Sequence, residues 1–377
     1  MARLPIMTLL VAGALALGGF TRALADDEGG SQAQVPAIAF KPIVDAALAN
    51  VLLPGYEALA ASAAEEATRL SDLCLEADDA RLAAAREGFR DLVLAWSRIE
   101  LVRFGPVRDR NRYERVFFWP DPRGRGLQQV QEILATQDPA ALAVASLREK
   151  SVAVQGLPAL EFVLYGTGSE ALVYAADPAG RFRCGFGKAI AGAIAATSQE
   201  VLSDWTRPDG YADLMRKAGA DNPVYRSHGE VVQDLIKAAR EQLQLVRDLK
   251  IANVIEATPE KAQPKRAPFW RSNLTVPAIR ANIDAVLALV GPDGISAALP
   301  ADAAWIGGEI AFELAQVDGV LARVEDAGPW EDEVRDSDRH KDLTYVLIPL
   351  GDIVSLLEDD YPGAFGLIMG FNSLDGD

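Results

Sequence analysis

In the segment GLPALEFVLYG (Gly156–Gly166) one carboxylate, Glu161, stands in an otherwise apolar run. On a helix, Leu157, Leu160, Leu164 and Tyr165 fall at helical offsets around it, which places Glu161 in the apolar stripe. A carboxylate in such a place is costly unless it is paired, protonated or bound to a metal, so something must face it. Pro158 suits the first turn of a helix, where its missing N–H is not needed. Glu161 then sits about one turn inside, where the positive end of the helix favours an anion. The plain alternative is a structural pair with an arginine.

Glu100 poses the same problem on a second helix. Phe89, Val93, Trp96, Glu100 and Arg103 follow one helical line, apolar at its start and charged at its end. One reading is a helix that runs into solvent with a local Glu100–Arg103 pair. The other makes Trp96, Glu100 and Arg103 a wall of a polar pocket. In that pocket Glu100 and Glu161 from separate helices act as oxygen ligands of a hard cation, Trp96 forms an apolar wall, and Arg103 orients the acids or meets an anionic part of a ligand.

A third cluster is cationic. Arg103, Arg108, Arg110, Arg112, Arg115, Arg123 and Arg125 outnumber Asp109, Glu114 and Asp121 by four charges within a strongly acidic chain. Such a run can hold an anion or a carboxylate-bearing ligand, or it can be a solvated loop paired with neighbouring acids. Other chemistries lack their motifs: HExxH, GxSxG, a Walker A loop and a Gly-rich dinucleotide turn do not occur in the sequence. Only two histidines exist, His228 in RSHGE and His340 in DRHKD, both in polar surroundings. The terminal SLDGD lacks the length and final Glu of an EF-hand loop.

The elements that must position these groups read as helices almost throughout. Apolar residues recur at three and four over 43–53, 56–75 and 81–104, with Pro54 expected to kink or interrupt the first of them. Residues 105–126 read as a long structured loop, and helical patterning returns at 127–136, 140–155 and 158–165. Residues 177–187 read as turn-rich. Further helices are expected at 188–205, 230–254, 276–290, 300–326 (with a break at Gly307-Gly308) and 341–358. The fold class is all-α, with helices long enough for bundles. Two echoes, Ala95-Trp96-x-x-x-Glu100 with Ala304-Trp305-x-x-x-Glu309 and Val51-Leu52-Leu53-Pro54 with Val346-Leu347-Ile348-Pro349, suggest a duplicated and rearranged bundle.

Residues 1–25 read as a secretory signal peptide: Arg3, a largely apolar run from Leu4 to Phe20, and the cleavage site Ala23-Leu24-Ala25. The expectation is an exported, periplasmic protein with no membrane span after Ala25. Residues 26–35 form a polar, disordered linker, followed by helical halves at 36–200 and 201–377. Loss of Arg3 and Arg22 takes the formal charge from −17 to −19, which argues against nucleic acid and anionic membrane surfaces as partners. An even cysteine count in an oxidising compartment permits one disulfide, Cys74–Cys184, with two separate thiols as the alternative.

Several segments together resemble the imelysin family, which includes iron-regulated periplasmic proteins: AWSRIELVRFGPV (95–107), FWPD (118–121), GLPALEFVLYG, FWRSNLTVPAIRANIDA (269–285) and GFNSLDGD (370–377). The resemblance covers essentially the whole mature chain. It implies a mostly helical fold of two bundle-like halves with a site between them, and Arg271 of the WRS turn as a residue closing that site. The family hallmark is GxHxxE. Gly156 and Glu161 match its glycine and glutamate, but Pro158 stands at the histidine position and has no donor atom. The expectation is a divergent, non-catalytic binding protein for a metal, with iron the first guess, or for a small charged ligand. A metallopeptidase of the imelysin type and an exported partner protein without its own ligand are the alternatives.

Overall fold

The computed structural model describes residues 38–174 and 176–367, and the helical expectation holds there: no strand occurs among the described residues. Residues 1–25, read above as a signal peptide, residues 26–35, read as a linker, and the terminal GFNSLDGD lie outside them. The first helix runs Phe40–Ala47, passes through a π-helical segment Leu48–Leu52, and continues as Leu53–Leu75. Pro54 therefore does not break the chain. It falls in the first turn after the π segment, where the wider ladder absorbs its missing donor. By length and composition alone, Phe40–Leu75 is long and apolar enough to cross a bilayer. In the fold, Leu48, Leu52, Tyr56, Leu59, Ala63 and Leu70 of this helix are core residues.

Leu53–Leu75 packs against both Pro178–Thr206 and Asp79–Ile99. Asp79–Ile99 in turn packs on Thr275–Val290, which contacts Trp305–Ala327 and His228–Gln244, and the latter packs on Leu347–Glu358. The contact of Asp79–Ile99 with Thr275–Val290 joins early and late chain segments, and the described residues from Ile38 on fall in one compact unit.

Several boundaries differ from those read in the sequence. Residues 177–187 are helix: Pro178–Thr206 starts there, capped by the Asp177 side chain, which accepts from the Ala179 and Gly180 amides. The glycines that suggested turns are contact points, since a Cβ on Gly180 would collide with the Ala171 carbonyl and one on Gly187 with Val163. Residues 140–155 are three short helical pieces instead of one helix. The helix expected from 300 begins at Trp305 and runs unbroken through Gly307-Gly308, with Gly307 against Ser296. The 341–358 stretch divides into Ser337–Tyr345 and Leu347–Glu358. In the Ala-Trp-x-x-x-Glu echo the environments are opposite: Trp96 and Glu100 are buried, Trp305 and Glu309 exposed.

A Cys74–Cys184 disulfide joins the end of Leu53–Leu75 to the start of Pro178–Thr206 across 110 residues of chain. For a loop of that length the chain-entropy relation gives about 4–5 kcal/mol of stabilisation. A Cys74→Ser/Cys184→Ser variant should lower the urea-derived stability by that order. A reductant should shift the wild-type midpoint and leave the variant unmoved.

Candidate functional site

Glu161 lies on the helix Leu157–Tyr165, which begins immediately after Gly156. Gly156 permits a close approach of backbones: a Cβ there would lie 2.5 Å from the Val116 carbonyl oxygen. The Glu161 carboxylate is buried, and its Oε1 accepts from the Ser272 amide (3.0 Å) and the Ser272 hydroxyl (2.8 Å). Ser272 is presented by a turn in which Phe269 and Asn273 both adopt left-handed backbone conformations, uncommon for residues other than glycine. Asn273 is fixed in that turn by accepting from the Trp330 amide at 2.7 Å. Burial pushes the Glu161 carboxyl above its ordinary range, opposed by the Ser272 hydrogen bonds and the nearby Arg271. The Arg271 guanidinium lies over the rings of Trp270 (4.4 Å) and Phe162 (5.4 Å). Arg271 and Glu161 are thus brought together, with Ser272 as the direct partner.

Glu100 is buried in a separate polar cluster. Its Oε2 accepts from Lys250 Nζ at 2.6 Å and from Asn282 Nδ2 at 2.9 Å. Lys250 also donates to Asn282 Oδ1 at 2.8 Å, and Asn282 donates to the Ser97 carbonyl at 2.7 Å. Lys250 comes from the π-helical segment Leu245–Ala252 and is fully buried. Burial pushes its ammonium below the usual lysine range, against the pull of Glu100. Arg103 Nη2 lies 3.6 Å from Glu100 Oε1, and its guanidinium sits over the Tyr113 ring. Glu100 Oε1 and Arg103 Nε are buried without a hydrogen-bond partner.

The two acidic clusters are linked through aromatic rings. Lys250 Nζ lies 5.8 Å from the Phe117 centroid, and Phe117 stacks on Phe269 of the Ser272 turn with centroids 5.3 Å apart. Trp96 packs in the core against Tyr113 and Phe117, so it supports the site from behind.

In this arrangement Glu100 and Glu161 stand in separate clusters, each held by its own partners. Lys250 supplies the positive charge beside Glu100, and Pro158 offers no donor beside Glu161. Among the described residues, no group of three or more His, Cys, Asp or Glu stands where it could hold a metal ion.

Two clefts open beside these clusters. One, of about 420 Å³, is lined by Arg103, Arg108, Tyr113, Lys237, Glu114 and Asp234, among others. The other, of about 350 Å³, includes Arg86, Arg90, Tyr165 and Ser272. Elsewhere the Arg-rich segment is largely tied into the fold. Arg112 pairs with Asp204 at 2.8 Å, and Arg115 donates to the Arg148 carbonyl and to Gln155, each at 2.8 Å.

A family profile described as Imelysin, of the M75 peptidases, matches residues 52–350. The chain belongs to the imelysin family. Its fold is similar to that of an imelysin-like protein from Psychrobacter arcticum 273-4, with 19% identity, TM-score 0.72, and coverage of 89% of this chain and 99% of that one. It is also similar to a structure assigned as an iron-regulated protein A precursor from Parabacteroides distasonis ATCC 8503, with 13% identity, TM-score 0.68, and coverage of 84% and 93%. At such identities the likeness is one of fold. No curated protein matches the chain.

Within this imelysin-family chain, sequence reasoning found Glu100, Arg103, Gly156, Glu161 and Arg271 but missed Lys250, Asn282 and Ser272. Asn282 carried a usable signal: it is an amide among Ala278, Ile279, Ala281, Ala285 and Val286 on a helix that is otherwise apolar at those positions.

Proposed function

We propose that this imelysin-family protein is an exported, non-catalytic binding protein that takes a small organic anion in the cleft over Arg103. The observation that carries the reading is the Arg103 side chain. It lines the cleft of about 420 Å³, leans on Tyr113, and keeps a buried Nε without a hydrogen-bond partner beside Glu100. Arg108 and Lys237 line the same cleft and supply further donors to a carboxylate. Any iron associated with the protein is then carried inside an anionic chelate instead of being bound directly by the chain. A peptidase reading finds little support, because both histidines are engaged away from these clusters. His228 contacts the Arg216 carbonyl and His340 the Ile255 carbonyl, each at 3.0 Å.

The test is equilibrium dialysis of the mature protein against citrate, ferric citrate and uncomplexed ferric or zinc ion. The expected result is saturable binding of citrate or its ferric complex, weakened at least tenfold by Arg103→Gln and little changed by Glu161→Gln. Binding of the uncomplexed ion that is lost in Glu161→Gln would overturn this assignment in favour of a metal site at Glu161.

A further inference from the structure

The helix Trp305–Ala327 carries a second, unpartnered face. Its core side holds Ile306, Ile310, Leu314, Val317 and Leu321. On the opposite side Trp305, Gly308, Phe312, Ala315 and Gly319 recur at helical spacing, and all are exposed. Trp305 and Phe312 are 57% and 58% exposed, and a Cβ built on Gly308 or Gly319 would touch nothing within 4 Å. The adjacent Leu347–Glu358 helix adds Ile348, 63% exposed, one turn before Asp352. Isolated exposed apolar residues are ordinary, but a row of them on one helix with a neighbour beside it marks an interaction surface.

Charge identifies what covers it. Glu309 and Glu313 lie between and beside Trp305 and Phe312, one turn apart. The Glu313 carboxyl is raised above its usual range by partial burial and by its like-charged neighbours Glu309 and Asp352. The helix Leu347–Glu358, which carries Ile348 and Asp352, packs directly against Trp305–Ala327. None of these three acids has a salt bridge among the described residues. Residues 26–37 contain Asp26, Asp27 and Glu28, residues 368–377 contain Asp375 and Asp377, and neither holds a lysine or arginine, so neither segment can neutralise them; Arg3 and Arg22 fall in residues 1–25, which read as a cleaved signal peptide. A second copy brings another net charge of −17. The geometry points to a cationic, amphipathic helix of a different protein, laid with its apolar side on Trp305 and Phe312 and its lysines or arginines toward Glu309, Glu313 and Asp352.

The probe is a labelled 18-residue Leu/Lys amphipathic helical peptide, followed by fluorescence anisotropy at low and physiological salt. Its controls are the same peptide with Glu for Lys and with Ser for Leu. The expected result is saturable binding of the Leu/Lys peptide alone, weakened at least tenfold by Phe312→Ser and by Glu309→Lys/Glu313→Lys. A blue shift of tryptophan emission on binding should be absent in Trp305→Leu. These side chains are exposed, so the variants should keep the wild-type melting temperature. Equal binding to the wild type and both surface variants would overturn the assignment, as would no binding at 0.1 mM peptide. Concentration-dependent dimerisation abolished by Phe312→Ser would also overturn it, by making a second copy the occupant.

Discussion

Replacing Lys250 by methionine should lower the stability of the fold by about 3–5 kcal/mol, the range found when one partner of a buried ion pair is removed. Lys250 and Glu100 have almost no exposed surface, and their contact is 2.6 Å. Without the ammonium, Glu100 keeps the Asn282 amide and an arginine 3.6 Å away. Neither replaces a charge in direct contact, so the carboxylate is left largely uncompensated in a low-dielectric interior. The double variant Lys250→Met/Glu100→Gln should recover most of the loss, because exchanging a whole buried pair for neutral groups is often close to neutral. A double-mutant cycle on urea midpoints measures the coupling. A single-variant cost below about 1 kcal/mol would show that Arg103 takes over the neutralisation.

Glu66 should produce the steepest pH dependence in the protein. It lies between the helices Leu53–Leu75 and Asp79–Ile99, fully buried, with neither carboxyl oxygen hydrogen-bonded. It fits there because residue 88 is glycine: a Cβ on Gly88 would collide with Glu66 Oε2. Burial pushes the carboxyl up to about 9, against the pull of Arg69 and with a further push from Asp91 and Glu65. The native state therefore holds a proton that the unfolded chain releases above the ordinary carboxylate range. Between roughly pH 4.5 and pH 9, folding takes up that proton, and this group's contribution falls as pH rises, by about 1.4 kcal/mol per pH unit. Glu66→Gln should stabilise the protein by about 3 kcal/mol at pH 7 and by almost nothing near pH 4.5. Denaturation curves of both proteins at pH 5, 7 and 8 test this, and a gain independent of pH would refute it.

How much of this was legible in the sequence depended on whether a residue's partner was local. Pro158 and Glu161 could be placed on one helix because their geometry is set within a single turn. The helical class followed from apolar spacing over long stretches. Lys250 was hidden because nothing local marks it out in the helix expected over 230–254, and its partner Glu100 is 150 residues away. Glu66 was hidden in Glu65-Glu66, an acidic pair whose first member is exposed and whose second is in the core. The glycines of 177–187 misled because the same residue type serves both turns and close helix contacts, and only the packed structure distinguishes them.

The π-helical segment that carries Lys250 has a consequence for how this site could change by descent. Each residue of an α-helix turns the chain by about 100°, and a π segment accommodates a residue beyond the regular count. Deleting one residue from 245–252 would restore an even helix and rotate one flank against the other by about that angle. The lysine would swing off the carboxylate without any change of residue type. In this protein a single-codon deletion could thus accomplish what a point mutation does elsewhere, and an aligned lysine in a relative lacking the segment would face a different direction.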